Sequence, residues 1–368
     1  MRGATLNKLI TTTSTLVENP LKFVRFSERF FTSFKVLGLY LEKTILPMNN
    51  LSSDHSYNQI PTHIELSNPH MWLGIFVFFV STYGVYSIFN SKKEKNIILI
   101  LASSYFIFFY LIISNLFFII GTILAERLMY IPSIGFCLLT SWLIIYTHDK
   151  EVLAKSYKLF FNKKVSKKFM NHILYCSIAL ILTFYATISY KRNFNWRTEE
   201  SLFLSAALRS PNSVLARSNA GAIHLINGDL VNARQELIFA NTIYDSYNHA
   251  MNNLGLLYLR EGNLLAARDQ FHKTISKYPN YINAINNLAI TYFYLEEFEK
   301  SKYYWTFIYN NNAEDHLIYY LTDKIVNLIK QNKLSEVENL YKNIKHIVNN
   351  EDWKAKIELI LENFSKKK

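Results

Sequence analysis

Glu126 and Arg127 stand side by side between two uncharged stretches, 97–125 and 128–147. Ionisable groups flanked by apolar sequence on both sides are costly unless they are paired or functional. Arg127 could hold a phosphate, because a guanidinium makes bidentate contacts to phosphate oxygens. Glu126 could orient that phosphate or bind a metal. The plainer alternative is an interfacial ion pair that reaches water and fixes a turn. A second set is Asn219, Asn253 and Asn287, which recur every 34 residues. Each amide offers a donor and an acceptor, so a ladder of them can hold an extended peptide backbone without reading its side chains. The alternative is that they cap or bridge neighbouring helices, and Asn252 and Asn286 beside them are further polar partners. Arg29 is a third candidate for a phosphate contact. It lies with Arg25 in an amphipathic stretch, 16–46, that carries Phe23, Phe26, Phe30, Phe31 and Phe34 and reads as an interfacial helix. Asp54 and His55 have no partner evident in the sequence. His63 and His70 lack metal-ligand spacing, so no metal site is expected. Cys137 and Cys176, the two cysteines, fall inside apolar stretches and read as reduced and structural. There is no phosphate-binding glycine loop and no Ser/His/Asp or Cys/His set of recognisable spacing.

The elements that must position these residues begin with the apolar ones. Segments 71–89, 97–125, 128–147 and 173–190 carry no charge. A helix needs about 20 apolar residues to cross a bilayer, so four membrane spans are expected, with Trp72, Trp142, Tyr146 and Tyr190 at the interfaces. The first block starts near residue 71, so the first span rather than a signal peptide is expected to direct the chain to its membrane. The chain of 368 residues carries a net charge of +12, which at first suggests nucleic acid. Seven of those twelve charges fall in the loops 91–96 and 148–171. They mark a topology, with both loops cytosolic and residues 1–70, 126–127 and 191–368 in the lumen of the endoplasmic reticulum. A nucleic-acid partner is excluded. Two glycosylation sequons, at Asn50 and Asn363, lie on the expected lumenal side.

After Lys191 the composition becomes that of a soluble helical protein. Gly221-Ala222-Ile223-His224 recurs as Gly255-Leu256-Leu257-Tyr258 and Ala289-Ile290-Thr291-Tyr292. Gly228 recurs as Gly262 and Glu296, and Ala233 as Ala267 and Ser301. Every step is 34 residues. This resembles the tetratricopeptide repeat, a helix–turn–helix that stacks into a superhelix. Three units cover 205–310. A degenerate unit with Leu334-Ser335-Glu336 and Tyr341 is expected to follow, and a helix at 196–209 to precede them. The fold class expected is all-α: a lumenal and interfacial segment (1–70), a four-span membrane domain (71–190) and a repeat solenoid (191–368).

The apolar part carries a more specific signature. Ser114-Asn115-Leu116-Phe117-Phe118-Ile119-Ile120-Gly121-Thr122 leads into Ala125-Glu126-Arg127-Leu128-Met129-Tyr130-Ile131-Pro132-Ser133-Ile134-Gly135-Phe136-Cys137. Asn19-Pro20, Arg29-Phe30-Phe31-Thr32, Leu46-Pro47, Leu51-Ser52-Ser53-Asp54-His55-Ser56 and Ile60-Pro61 lie upstream. Asn195-Trp196-Arg197-Thr198-Glu199-Glu200-Ser201-Leu202-Phe203 lies downstream. In this order the motifs resemble the transmembrane and tetratricopeptide-repeat containing family, in its C-terminal portion. That family is similar to the multispan C-type glycosyltransferases. The resemblance implies transfer of mannose from dolichyl-phosphate mannose, a membrane lipid carrier, to Ser or Thr of lumenal, cadherin-like proteins held by the repeat groove. It also implies an acidic base, or metal ligand, in a first lumenal loop near the family's N-terminus. No acidic pair here matches that position, so no catalytic residue is assigned. The chain is then a piece of such an enzyme or a truncated relative. The competing reading is a non-catalytic, membrane-anchored repeat protein that binds lumenal partners. A third, an import receptor with cytosolic repeats, requires the inverted topology.

Overall fold

A computed structural model describes residues 15–48, 51–89, 97–149, 167–310, 314–348 and 350–365. Among them the chain is all-helical, with fifteen α-helices, short 3-10 turns and no strand. The lysine-rich loops expected at 91–96 and 148–171 lie largely outside the described residues, as does Asn50. The chain divides into two compact units, 1–220 and 221–368. That division falls later than the 190/191 boundary suggested by composition. The helices just after the apolar block keep company with the preceding segment: the Asn58 amide donates to the Asn212 carbonyl at 3.0 Å, and the Val214 amide to the Tyr57 carbonyl at 2.7 Å.

The first unit is built on α1 (Phe26–Ile45). Its first turn is closed by Glu28, whose carboxylate accepts from the Arg25 amide at 3.0 Å. Phe34, Val36, Leu37, Tyr40 and Leu41 are buried, while Phe23, Phe26 and Phe30 stay exposed. So the amphipathic stretch is half core helix and half surface. α2 (Pro69–Phe89) runs along it. Gly38 and Gly74 let the backbones touch: a Cβ at Gly38 would strike the His70 carbonyl, and one at Gly74 the Phe34 carbonyl. Between the two helices, buried Lys35 donates to Glu65 at 2.9 Å and to the Pro61 carbonyl at 3.2 Å. The hydrogen bonds from Lys35 and Asn68 hold the Glu65 carboxyl down at about 2.

The uncharged stretch 97–125 is not one span. α3 (Ile97–Ile113) ends before Ser114, and 114–125 is an irregular loop. As one helix, 29 residues would run about 43 Å, well past a hydrocarbon core of about 30 Å. Two buried asparagines end it instead. Asn115 takes a left-handed conformation with φ of 60°, a conformation Asn tolerates better than most residues. Its side-chain oxygen accepts from the Ile120 amide at 3.0 Å and from Asn19 Nδ2 at 2.9 Å. Asn19 Nδ2 also donates to the Ile120 carbonyl at 2.7 Å. The loop is folded back on itself with Phe117 and Phe118 at its exposed tip. A 3-10 turn, Glu126–Tyr130, then leads into α4 (Pro132–Asp149). Glu126 and Arg127 therefore sit near the end of a long connection, not in the very short turn that hydropathy suggested.

α5 (Lys167–Asn193) is long and outward-facing, with Tyr175, Leu180 and Leu182 exposed. Of the four expected spans, the helix Asn171–Trp196 is the one among the described residues long and apolar enough to cross a membrane. Ile98–Ile113 and Pro132–Ile145 are shorter apolar helices. α6 (Glu199–Arg209) follows, capped by Thr198, whose hydroxyl accepts from the Ser201 amide at 3.0 Å.

The 34-residue period is visible in the backbone. α7 (Val214–Ile226), α9 (Asn248–Arg260) and α11 (Ile282–Tyr294) start 34 residues apart. So do α8 (Leu230–Ile243), α10 (Leu264–Lys277) and α12 (Phe298–Asn310). In the second unit one large side chain per repeat, Leu237, Phe271 and Trp305, is fully buried at the same position. The turn inside each pair is also shared: Gly228, Gly262 and Glu296 all have positive φ, at 76°, 79° and 62°. α13 (Glu314–Lys330), α14 (Leu334–Ile344) and α15 (Glu351–Ser365) close the unit on Leu321, Val337, Leu340 and Trp353. Tyr341 is buried there and its hydroxyl donates to Glu358 at 2.7 Å.

A left-handed conformation costs a residue with a Cβ about 1–2 kcal/mol, part of which glycine returns through its freer unfolded chain. Gly262→Ala is expected to lower the unfolding free energy by about 1 kcal/mol. Exposed Glu296→Gly is expected to leave it unchanged or raise it by up to about 1 kcal/mol. Chemical denaturation of the two variants checks that only Gly262→Ala destabilises.

Candidate functional site

Lys43, His55 and Arg192 converge on Glu126. Its Oε2 accepts from Arg192 Nη2 at 2.6 Å, and its Oε1 accepts from the Ser52 amide at 2.8 Å. His55 Nε2 lies 3.4 Å from Oε1 and Lys43 Nζ 3.8 Å from it. These partners come from the last turn of α5, the 51–56 segment and the last turns of α1. The cluster is largely shielded, with side-chain exposures of 20% for Glu126, 10% for Lys43 and 21% for Arg192. Burial pushes Lys43 below the usual lysine value, and the attraction of Glu126 and Glu42 opposes it.

Hydroxyls from the core hold these segments in place. The Tyr40 hydroxyl accepts from the Ala125 amide at 3.0 Å and donates to the Ala125 carbonyl at 3.2 Å, which fixes the residue before Glu126. The Tyr185 hydroxyl donates to the Ile45 carbonyl at 2.7 Å and lies 3.1 Å from the Thr44 carbonyl. It thus satisfies orphan carbonyls at the end of α1 and ties α5 to it.

Arg127 is not among the residues that contact the Glu126 carboxylate. It is exposed, and among the described residues it has no ion-pair partner. Its cation remains available to an outside anion. Arg29 is not part of the same place. It sits fourteen residues before Lys43 on α1, about 21 Å along the helix. Its guanidinium lies 5.3 Å from the Phe26 ring, and its Nε is buried without a partner. The structure thus joins Glu126 to Lys43, His55 and Arg192, and places Arg29 at the opposite end of α1.

Asp54 and His55, which had no evident partner, have several. Asp54 accepts from the Ser56 hydroxyl at 2.9 Å, from the Ser56 amide at 3.2 Å and from the Ser213 hydroxyl. Ser210 donates to the Asp54 carbonyl and lies 3.5 Å from His55 Nδ1. Ser210, Ser213 and His55 are buried. The set joins a Ser, a His and a Glu in series, yet no hydroxyl in it is open to a substrate. It works as a clasp that fastens 52–56 to the turn before α7. No spacing rule could have found it, because the partners lie more than 150 residues apart.

Asn219 lies half-buried on α7, Asn253 on α9 and Asn287 on α11. Asn287 Nδ2 donates to Asn252 Oδ1 at 2.9 Å, a bridge between neighbouring first helices. Asn286 faces inward and accepts from the Trp305 indole at 3.2 Å. Within the second unit Asn287 also lines a cleft of about 910 Å³ with Arg260, Tyr294, Asp323, Lys324 and Asn327. Burial lowers Lys324 to about 8, and its ammonium contacts the Tyr294 hydroxyl. Asn363 falls in α15. Among the described residues no group of three or more His, Cys, Asp or Glu is placed to hold a metal ion.

No family model matches the chain. It is 31% identical over 137 residues to protein O-mannosyl-transferase TMTC2 of Homo sapiens, which is 37% of this chain and 14% of that protein. It is 33% identical over 110 residues to protein O-mannosyl-transferase Tmtc1 of Drosophila melanogaster, covering 30% of this chain and 11% of the relative. With protein O-mannosyl-transferase TMTC3 of Mus musculus the identity is 32% over 108 residues, 29% of this chain and 10% of the relative. The match spans a seventh or less of each of these curated relatives. These homologues support the family resemblance that the motifs carry.

Removing the Asp54 carboxylate takes the acceptor from three donors, and although the Ser56 and Ser213 hydroxyls still face each other at 2.7 Å, each donor left unpaired costs about 1–3 kcal/mol. Asp54→Ala is expected to speed proteolytic cleavage within 51–61 while far-ultraviolet helicity is kept. Limited proteolysis with mass mapping checks this.

Proposed function

We propose that the chain is part of a multispan protein O-mannosyltransferase of the endoplasmic reticulum membrane. In this reading it serves transfer of mannose from dolichyl-phosphate mannose to Ser or Thr hydroxyls of lumenal, cadherin-like proteins. The observation that carries the reading is the identity with proteins named as O-mannosyl-transferases. The apolar helix Asn171–Trp196 and the exposed apolar face of α2, with Trp72, Phe76, Phe79 and Tyr83, are consistent with a membrane setting.

In the transfer a hydroxyl forms a bond to mannose C1, and the bond from C1 to the carrier phosphate breaks. A base takes the hydroxyl proton, and the phosphate leaves with the electron pair. No residue of this chain is assigned as the base. Its contribution is to hold the reactants. Arg127, exposed beside the Glu126 cluster, contacts the carrier phosphate. Glu126 acts through that cluster by fixing the turn. Arg29, at the far end of α1, would need to meet a different part of the donor. The 34-residue helix pairs form a tetratricopeptide-repeat superhelix on the lumenal side, and Asn219, Asn253 and Asn287 hold an extended client backbone. Lumenal placement carries a direct mark: Asn363 should be glycosylated.

A second reading, a membrane-anchored adaptor without catalysis, is favoured by the cleft around Asn287 in the repeat unit. Glycoproteomics of cells with and without the protein separates the two. Loss of O-linked mannose from a set of lumenal proteins supports the transferase. Unchanged O-mannosylation together with lost client binding supports the adaptor. In the full-length enzyme Arg127→Ala is expected to lower mannosyl transfer by 10-fold or more, and Arg127→Lys by less, because an ammonium keeps the charge but loses the bidentate geometry. Normal transfer by both variants would remove the phosphate role.

A further inference from the structure

The last turns of α5 and the chain just after α1 enclose a cleft of about 510 Å³, a size ordinary for a small-molecule site. It shares one residue, Arg192, with the Glu126 cluster, and none with the phosphate contacts assigned above. On the α5 side its wall is a single helix face: Phe184, Thr187, Ile188, Lys191 and Arg192. The spacing places these residues one above another. The face changes character along its length, apolar at Phe184 and Ile188 and cationic at Lys191 and Arg192. That change takes about 12 Å at 1.5 Å per residue. The opposite wall repeats the pattern, with Pro47, Met48 and Leu51 apolar and Arg209 cationic.

The charges are unequal in availability. Arg192 is engaged by Glu126 at 2.6 Å. Lys191 and Arg209 are exposed, and among the described residues neither has a carboxylate partner. No Asp or Glu lines the cleft. Its position is also set. Lys191 and Arg192 end the helix that is long and apolar enough to cross a membrane, where cationic side chains meet headgroups. The Tyr185 bond to the end of α1 and the Arg192 bond to Glu126 brace the two walls, so the cleft is preformed.

We propose that this cleft binds the phosphate ester of a membrane lipid. Lys191 and Arg209 take the phosphate oxygens, and Phe184, Ile188 and Met48 take the first carbons of the chain. A neutral ligand would leave two cations unanswered, and a free phosphate would leave the apolar half empty. Lipid binding here does not depend on sugar transfer. Arg127 is not part of this lining, so a polyisoprenyl phosphate bound here would be separate from the donor phosphate placed at Arg127.

The test uses the full chain in nanodiscs of neutral phosphatidylcholine, with its methionines replaced by a photoreactive analogue. Met48 lines the cleft and reports contact directly. Phosphatidic acid and a polyisoprenyl phosphate are each added at a few mole per cent, then irradiated, and the adducts are mapped by mass spectrometry. An adduct at Met48 with either lipid is expected. It should fall at least 10-fold in a Lys191→Gln, Arg209→Gln double variant, and inorganic phosphate at 10 mM should not compete. A polyisoprenyl phosphate adduct stronger than the phosphatidic acid one would make the site selective for polyisoprenyl chains, and equal adducts would make it a general anionic-lipid site. Adducts confined to other methionines, equal labelling by phosphatidylcholine, or displacement by inorganic phosphate would overturn the proposal. The wild-type labelling pattern decides even if the double variant fails to fold.

Discussion

One carboxylate, Glu126, ties three segments of the first unit together. It draws together α1 through Lys43, the 51–56 segment through the Ser52 amide and His55, and α5 through Arg192. Fully exposed ion pairs contribute about 0–1 kcal/mol, whereas removing one partner of a buried pair costs about 3–5 kcal/mol. At about one-fifth exposure Glu126 lies between these limits, and its loss would leave two partly buried cations facing each other. This anchor, with the Tyr40 and Tyr185 hydroxyl bonds, sets the turn that carries Arg127, the end of α5 and the cleft beside it.

The two units present different surface chemistry. The first has cations at the end of an apolar helix. The second has neutral amides and a few charges along repeated helices.

The repeats were the most legible part of the fold. A 34-residue recurrence of small residues sets helix starts at 214, 248 and 282, and even the turn position at 228, 262 and 296 could be read. These are local patterns, and local patterns are what a sequence displays. Hydropathy misjudged 97–125, because an irregular loop of Phe, Ile and Gly is as uncharged as a span. The signal that could have split it was polar: Asn115, answered by Asn19 almost a hundred residues earlier. The candidate site was legible as charges but not as geometry. Glu126 was visible, yet Lys43, His55 and Arg192 are brought to it only by tertiary folding. Arg29 was grouped with it by motif, and the length of α1 separates them.

The pairing of Glu126 with Arg192 at 2.6 Å is the shortest contact of this cluster. A double-mutant cycle of Glu126→Gln and Arg192→Gln, read by chemical denaturation of the full chain in detergent, measures it. A coupling of about 1–2 kcal/mol is expected, with the two single variants each costing nearly as much as the double. Strictly additive effects, with coupling near zero, would contradict the view that this carboxylate organises the site.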